Sequence, residues 1–215
     1  MGSYSTAGPQ QAFHLWCSSR AQAKPEILDE AARNIAQLLG AKGEPLVAFP
    51  TPLIAWGWLS PSDTQPDNTS SVEQLEKLLP RNTRLVVAAY SSGDSAFRET
   101  HTQAERLRRL GDRQAREKLP VITYASDGAL SAAAFVDRLP LATTIVQTAL
   151  HDLASDDEYT SVIRDTAHCY LQHGIAGAAT AIHVHRNTVK YRVDKFREAV
   201  GQIGQPMSTY AWPWN

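Results

Sequence analysis

Apolar residues recur at two different spacings along the chain, and the change between them divides it in two. In the first part, PLVAF, PLIAWGWLS, RLVVAAYS and LPVITY are continuous apolar runs of strand length. They are preceded or separated by segments with helical spacing at 25–39, 70–79 and 94–118. Trp56 and Trp58 alternate with small residues, which predicts an aromatic face for the core or for a dimer surface. From residue 126 onward every apolar pattern is helical, so the sequence predicts an α+β unit followed by an all-α region.

The composition of the chain changes near both termini, and these changes set the outer boundaries of the two predicted domains. Residues 1–24 are rich in Ser, Gln, Ala and Gly and are predicted to be an N-terminal arm. The α+β domain is predicted over 25–135 and the helical region over 136–204. The last segment, 205–215, has no periodicity but carries three aromatic side chains, which predicts a tail that docks onto a neighbouring surface.

Charge and cysteine content limit the classes of function. The 215 residues include 21 basic and 22 acidic side chains, so the net charge of −1 excludes a general attraction to polyanions. Any binding to nucleic acid must come from a local basic patch. Only Cys17 and Cys169 are present, too few for a disulfide framework, which predicts a reduced, cytoplasmic setting. There is no signal-peptide pattern and no apolar window long enough to span a membrane, while the Met-Gly-Ser start leaves open that the chain is part of a longer protein.

The last three predicted helices have the lengths and spacing of a helix-turn-helix. The first, YTSVIRDTAHCYLQH, is predicted to stop at Gly174, and a short Ala-rich helix, AGAATAI, follows it. The turn HVH places Val184 where it can fill the space between the second and third helices. In the third helix, NTVKYRVDKFREAV, the apolar stripe consists of Val189, Val193, Phe196 and Val200.

The opposite side of the third helix has the chemistry of a DNA-reading surface. Arg binds guanine and Asn binds adenine in the major groove, while Thr, Lys and Arg bind phosphates. The candidate DNA-binding residues are Arg186 and Asn187 at base edges, Lys190 and Tyr191 at bases or backbone, and Thr188, Arg192 and Lys195 at phosphates. Residues 158–204 carry six basic against four acidic side chains. This small excess predicts weak binding by one copy, and therefore a homodimer on two half-sites.

The segment YLQHGIAGAATAIHVHRNTVKYRVDKFREAVG resembles the C-terminal helix-turn-helix of the PucR family of bacterial transcription regulators, whose sugar-diacid branch is of the CdaR type. Upstream, RLVVAAYSSGDSAFRETHTQAERLRRLGDR and VITYASDGAL resemble the degenerate GGDEF-like α+β domain of that family. No GG[DE][DE]F motif is present, so cyclic-dinucleotide synthesis is not implied. The chain also departs from the family near Gly174, where the connection is a residue or two shorter, and at Gly177, where Ala is common.

The resemblance implies a cytoplasmic regulator that binds operator DNA as a homodimer and controls a catabolic pathway. It further implies that the GGDEF-like domain mediates dimerisation or transmits a signal, and that the effector is a small metabolite of carbon or nitrogen catabolism. We predict no catalytic activity, no cofactor and no bound metal.

Three alternatives remain open on the sequence alone. The helix-turn-helix could be a degenerate interaction or dimerisation module, consistent with the near-zero net charge. The GGDEF-like domain could bind a nucleotide or metabolite, with residues 91–94 as a phosphate-binding turn. Finally, zinc would accept the four side chains Cys169, His173, His183 and His185.

Overall fold

The computed structural model describes residues 4–17, 24–61, 72–113, 120–126 and 128–201. The chain forms two compact units, Met1–Asp137 and Arg138–Asn215. The predicted boundary between the α+β domain and the helical region lay between residues 135 and 136. The predicted C-terminal tail at 205–215, and the predicted continuation of the long helix to residue 118, lie outside the described residues.

The first unit is a five-stranded sheet in the order β2-β3-β1-β4-β5. Its strands are β1 (Gln11–Cys17), β2 (Leu46–Thr51), β3 (Ile54–Leu59), β4 (Thr83–Val87) and β5 (Val121–Thr123). The β1–β3, β1–β4 and β2–β3 pairs are antiparallel, and the β4–β5 pair is parallel. The helices of this unit are α1 (Pro25–Leu38), α2 (Val72–Lys77), α3 (Ala96–Arg113) and α4 (Ala129–Ala134). The predicted α+β class is therefore confirmed.

The N-terminal arm predicted for residues 1–24 is wrong for Gln11–Cys17, which form the central strand of the sheet. All seven residues of β1 are buried, and the strand bonds to neighbours on both sides. The polar Gln10 and Gln11 at its start are also buried, and Gln11 Nε2 donates to the carbonyl of Ala88 at 2.9 Å. Because the strand is defined by pairing with β3 and β4, which are distant in sequence, the local pattern of polar residues resembles an arm.

Alternate residues of β1 serve the two faces of the sheet. Phe13 and Leu15 enter a core that includes Leu28 and Ile35 of α1. Ala12 and Trp16 enter a second core that includes Ala104 and Leu107 of α3. The sheet is thus covered by helices on both sides, which explains why the strands are continuous apolar runs.

The aromatic face predicted at Trp56 and Trp58 belongs to the core on the α3 side. The Trp58 ring stacks on Phe97 with 4.7 Å between the centroids, and the centroid of His101 lies 4.6 Å from that of Trp56. His14, fully buried in β1, completes the cluster with its Nε2 atom 3.1 Å from His101 Nδ1. Burial lowers the pKa of His14 to about 3, so this imidazole is neutral.

The second unit is entirely helical over its described residues. It comprises α5 (Leu139–Leu150), a 3₁₀ turn (His151–Ala154), α6 (Glu158–Ala181) and α7 (Arg186–Val200). Asp157 caps α6 by accepting a hydrogen bond from the Thr160 N–H at 2.9 Å, which lowers the pKa of its carboxyl. Within the described ranges, no helix is both long and apolar enough to cross a bilayer.

Candidate nucleic-acid interface

Gly174 breaks α6 into two helices at the predicted position. Its backbone angles, φ 68° and ψ −177°, are not helical, and the positive φ favours glycine. Residues 158–173 therefore form the first helix of the motif and residues 175–181 the second. A glycine stop directly before a short helix is what the sequence predicts, and the structure confirms it.

Gly177 allows the second helix to start immediately after this break. A Cβ atom at position 177 would lie 2.6 Å from the Cβ of His173, which is inside van der Waals contact. An alanine at this position would therefore collide with the first helix. The glycine thus makes room for the close approach of the second helix to the end of the first.

The turn between the second and third helices is set by residues on either side of Val184. His183 has a positive φ of 53°, and the Val184 N–H donates to the Ala179 carbonyl at 3.0 Å. His185 is the N-cap of α7, because its Nδ1 atom accepts from the Asn187 N–H at 3.2 Å. The sequence pattern places both histidines in the turn but does not reveal this capping role.

The inward side of α7 is the predicted apolar stripe. Val189 is fully buried and Val193 is 4% exposed, and both pack on Ala178 of the second helix. Val184 packs against the same cluster from the turn, as its position in the sequence predicts. Phe196 and Val200, the other two members of the stripe, are half-buried. This packing orients the opposite side of α7 toward solvent.

Four of the seven candidate DNA-binding residues are exposed, and the other three are half-buried. The exposed ones are Arg186, Asn187, Lys190 and Tyr191. Among the described residues, neither Arg186 nor Lys190 has an ion-pair partner. The half-buried ones are Thr188, Arg192 and Lys195.

Two of the half-buried residues already have partners within the unit. Arg192 Nη1 donates to Thr166 Oγ1 of α6 at 3.3 Å, so this guanidinium reaches back toward the first helix. Lys195 Nζ pairs with Glu198 at 2.7 Å, and this hydrogen bond holds the pKa of Lys195 above its ordinary value. Their charges are therefore less available to a phosphate than those of Arg186 and Lys190.

Charge is distributed unevenly along α7. Its first half, residues 186–193, contains Arg186, Lys190 and Arg192 and no acidic residue. Both acidic side chains lie in the second half, where Glu198 pairs with Lys195, and Asp194 lies 3.5 Å from the Arg197 guanidinium. A nearly neutral chain needs a local positive patch if it is to bind nucleic acid. Such a patch lies at the N-terminal end of α7, where the helix dipole adds to its positive charge.

A groove of about 690 Å³ runs between the first turns of α6 and α7. Asp157 and Glu158 line it on one side, and Thr188, Tyr191 and Arg192 on the other. The two carboxylates weaken, by like-charge repulsion, any phosphate contact made from this flank of α7. Among the described residues, the face that carries Arg186, Asn187 and Lys190 has no such carboxylates beside it in the groove.

Neither chemical alternative is supported by the arrangement of its residues. Among the described residues no three potential metal ligands come together, so Cys169, His173, His183 and His185 do not form a zinc site. In the turn at 91–94, Ser91 Oγ donates to the carboxylate of Glu99 at 2.9 Å, and Ser95 donates to the same group. These bonds lower the pKa of Glu99, and its negative charge beside the turn disfavours a phosphate there.

Three helices joined by a glycine break and a short turn define the class of this unit, which is a helix-turn-helix domain. Residues 163–203 match the PucR C-terminal helix-turn-helix domain. The segment is therefore a PucR-type helix-turn-helix, as the resemblance in the sequence predicts, and it supports a role in transcription regulation.

A comparison with curated proteins found no match. Among solved structures, the chain is similar to a regulator of polyketide synthase expression from Bifidobacterium adolescentis, at 15% identity. The alignment covers 91% of this chain and 78% of that chain, with a TM-score of 0.38. This score is too low to support an inference about function.

Proposed function

We propose that this protein is a bacterial transcription regulator that binds operator DNA as a homodimer through its C-terminal helix-turn-helix. The observation that carries the proposal is the exposed, unpaired basic and amide chemistry at the start of α7. Arg186, Asn187 and Lys190 are exposed there, on the side opposite the buried Val189 and Val193. In a helix-turn-helix, the N-terminal part of the third helix is the part that contacts base edges.

Each side chain has a distinct proposed role. Arg186 donates two hydrogen bonds to guanine O6 and N7, and Asn187 forms hydrogen bonds with adenine N6 and N7. Lys190 and Tyr191 contact bases or backbone, whereas Thr188 and Lys195 contact phosphates from the edge of the helix. Arg192 is mainly a positioning residue, because one of its N–H groups is bonded to Thr166, and its remaining N–H groups serve a phosphate.

His185 is an addition to the predicted site. Its Nδ1 atom accepts from the Asn187 N–H, so the ring proton is on Nε2 in the neutral imidazole. The side chain is exposed at the start of α7. We assign its Nε2–H as a hydrogen-bond donor to a backbone phosphate at the helix N-terminus.

The wider biological role follows the family resemblance. The α+β unit corresponds to the GGDEF-like domain and transmits a signal or contributes to dimerisation. The signal is a small metabolite, the controlled genes belong to a catabolic pathway, and the protein acts in the cytoplasm. A dimer is expected because one short helix with three unopposed basic residues binds DNA weakly, whereas two copies on two half-sites add their contacts.

Salt dependence separates this proposal from a helix-turn-helix that has become a protein-docking module. Fluorescence anisotropy would follow binding of the full chain to genomic fragments between about 50 and about 200 mM salt. We expect the affinity to fall steeply, with log K linear in log salt concentration. Lys190→Ala should reduce the salt slope by about one for each copy of the chain bound.

Arg197→Ala is the matched control, because Arg197 is paired with Asp194, bonded to Tyr170 and not among the proposed DNA contacts. It should change the slope less than Lys190→Ala does. Absence of any DNA retention at the lowest salt concentration would refute the proposed function and favour a docking module.

A further inference from the structure

Helix α5 presents an apolar surface that the described residues leave uncovered. None of its twelve residues, LPLATTIVQTAL, is buried. Four large apolar side chains are nearly half exposed, at 44–46% of their surface, namely Leu139, Leu141, Ile145 and Val146. Exposed apolar area concentrated on one element is typical of an interaction surface rather than of ordinary solvent contact.

The pattern along α5 is that of a helix that packs closely against another helix. At 100° per residue, Ala142, Ile145, Val146 and Ala149 share one face, and Thr144 and Gln147 lie on the other. Ala142 and Ala149 are seven residues apart, so small side chains lie on both sides of the branched pair. Such spacing lets a second helix approach closely along the centre of the face.

The charges at the two ends of α5 identify the kind of partner. The helix itself contains no charged residue, but Arg138 immediately precedes it and Asp152 follows two residues after its end. Both side chains are exposed. Position 145 is midway between them. His151, with φ 49°, ends α5, so Asp152 lies just beyond the helix rather than on its continuation. In an antiparallel pair of identical helices related by a two-fold axis at Ile145, the Arg138 end of each copy would therefore lie near the Asp152 end of the other.

From this self-complementary arrangement we infer that α5 is the homodimer interface, with two copies packed antiparallel about Ile145. An isologous contact of this kind uses the same surface on both copies, so it forms a closed dimer and requires no second type of surface. The inference rests on the proposed function in one respect, because operator binding by two copies gives the dimer its purpose. Since α5 and α7 belong to the same compact unit, pairing through α5 would fix the separation of the two DNA-reading helices.

Disulfide trapping tests the register of the pair. In a full-length Cys169→Ser background, Ile145→Cys should cross-link two chains under mild oxidation. Ala142→Cys should not, because antiparallel packing displaces its two copies by six residues, about 9 Å along the axis. That separation exceeds the reach of a disulfide, whose Cα atoms are at most about 7 Å apart. Efficient cross-linking of Ala142→Cys would instead indicate parallel helices and overturn the register.

Sedimentation velocity of the full chain tests the surface itself. The wild-type protein should be dimeric and Ile145→Glu monomeric, because a carboxylate on the two-fold axis would meet its own copy. Gln147→Glu places the same charge on the opposite face of α5 and should remain dimeric. A dimer that Ile145→Glu does not affect would refute the interface. A wild-type monomer at every concentration would also refute it.

The same samples separate this inference from the proposed function. A wild-type monomer that still binds selected DNA with a steep salt dependence would contradict the interface alone. A dimer that depends on Ile145 but retains no DNA would contradict the proposed function alone. If both are correct, Ile145→Glu should bind a two-half-site operator at least about tenfold more weakly, because the linkage between the half-sites is lost.

Discussion

His14 is a polar residue fixed in the centre of the sheet. Its Nε2 atom lies 3.1 Å from His101 Nδ1, and its Nδ1 atom lies 3.6 Å from a carboxylate oxygen of Glu105. Burial, together with the nearby His101, lowers the pKa of His14 to about 3, despite the opposing effect of Glu105. The histidine is therefore neutral in the folded state over a pH range in which the unfolded chain would be protonated.

This difference predicts an acid-dependent loss of stability. The folded state disfavours the proton, so the contribution of His14 is complete above the unfolded pKa of about 6.5 and is lost as the pH falls toward 3. In urea unfolding followed by tryptophan fluorescence, the free energy of unfolding should fall by roughly 1 kcal/mol for each pH unit below about 6. His14→Leu should flatten this slope, whereas His151→Gln, an exposed control, should leave it unchanged. An equally steep slope in His14→Leu would assign the effect to other groups.

At Gly177 the sequence pattern alone does not explain why glycine is present. Glycine in a helix costs about 1 kcal/mol relative to alanine. In the structure it prevents a contact of 2.6 Å with the Cβ of His173. Only the three-dimensional path of the chain at Gly174 reveals why the poorer helix former is required here.

At the scale of elements, the parts that the sequence predicted correctly are those specified by local signals. The stop at Gly174, the turn around Val184 and the stripe of Val189 and Val193 depend on residues a few positions apart. Strand β1 depends instead on pairing with β3 and β4, which are about 40 and 70 residues away in sequence. Its short run QAFHLWC, with His14 at the centre, gives no comparable local signal.

The N-cap of α7 gives a prediction that separates folding from DNA binding. His185→Ala should destabilise the helical unit by about 1 kcal/mol, because the Asn187 N–H loses its acceptor. His185→Asn should restore the cap, since Asn is among the preferred capping residues, and thermal unfolding would measure both effects.

The same pair of variants tests the proposed phosphate contact. An asparagine side chain is too short to reproduce the Nε2–H donor, so His185→Asn should fold normally and bind DNA more weakly in anisotropy titrations. Wild-type affinity in a normally folded His185→Asn variant would show that His185 acts only as a cap.

For the molecule as a whole, the net charge of −1 conceals a local asymmetry. Acidic and basic side chains pair on α3, where Arg108 bonds to both Glu105 and Asp112 and Arg109 bonds to Asp137, so these two arginines are held within the molecule. The start of α7 has no such acidic partners among the described residues. Composition alone could not distinguish these two sets of basic residues, because the difference lies in which of them have carboxylate neighbours.

The central claim, that the exposed side of α7 reads DNA sequence, is tested most directly by selecting bound fragments from genomic DNA with wild-type protein and with Arg186→Ala. Arg197→Ala is the matched control, because Arg197 is held by Tyr170 and Asp194 in the second half of the helix. We expect the wild-type protein to select a motif with two half-sites. Arg186→Ala should lose preference at one base position in each half-site, at a cost of about 1–3 kcal/mol, and Arg197→Ala should retain the motif. An unchanged motif with Arg186→Ala, or the absence of any motif with the wild-type protein, would contradict the claim.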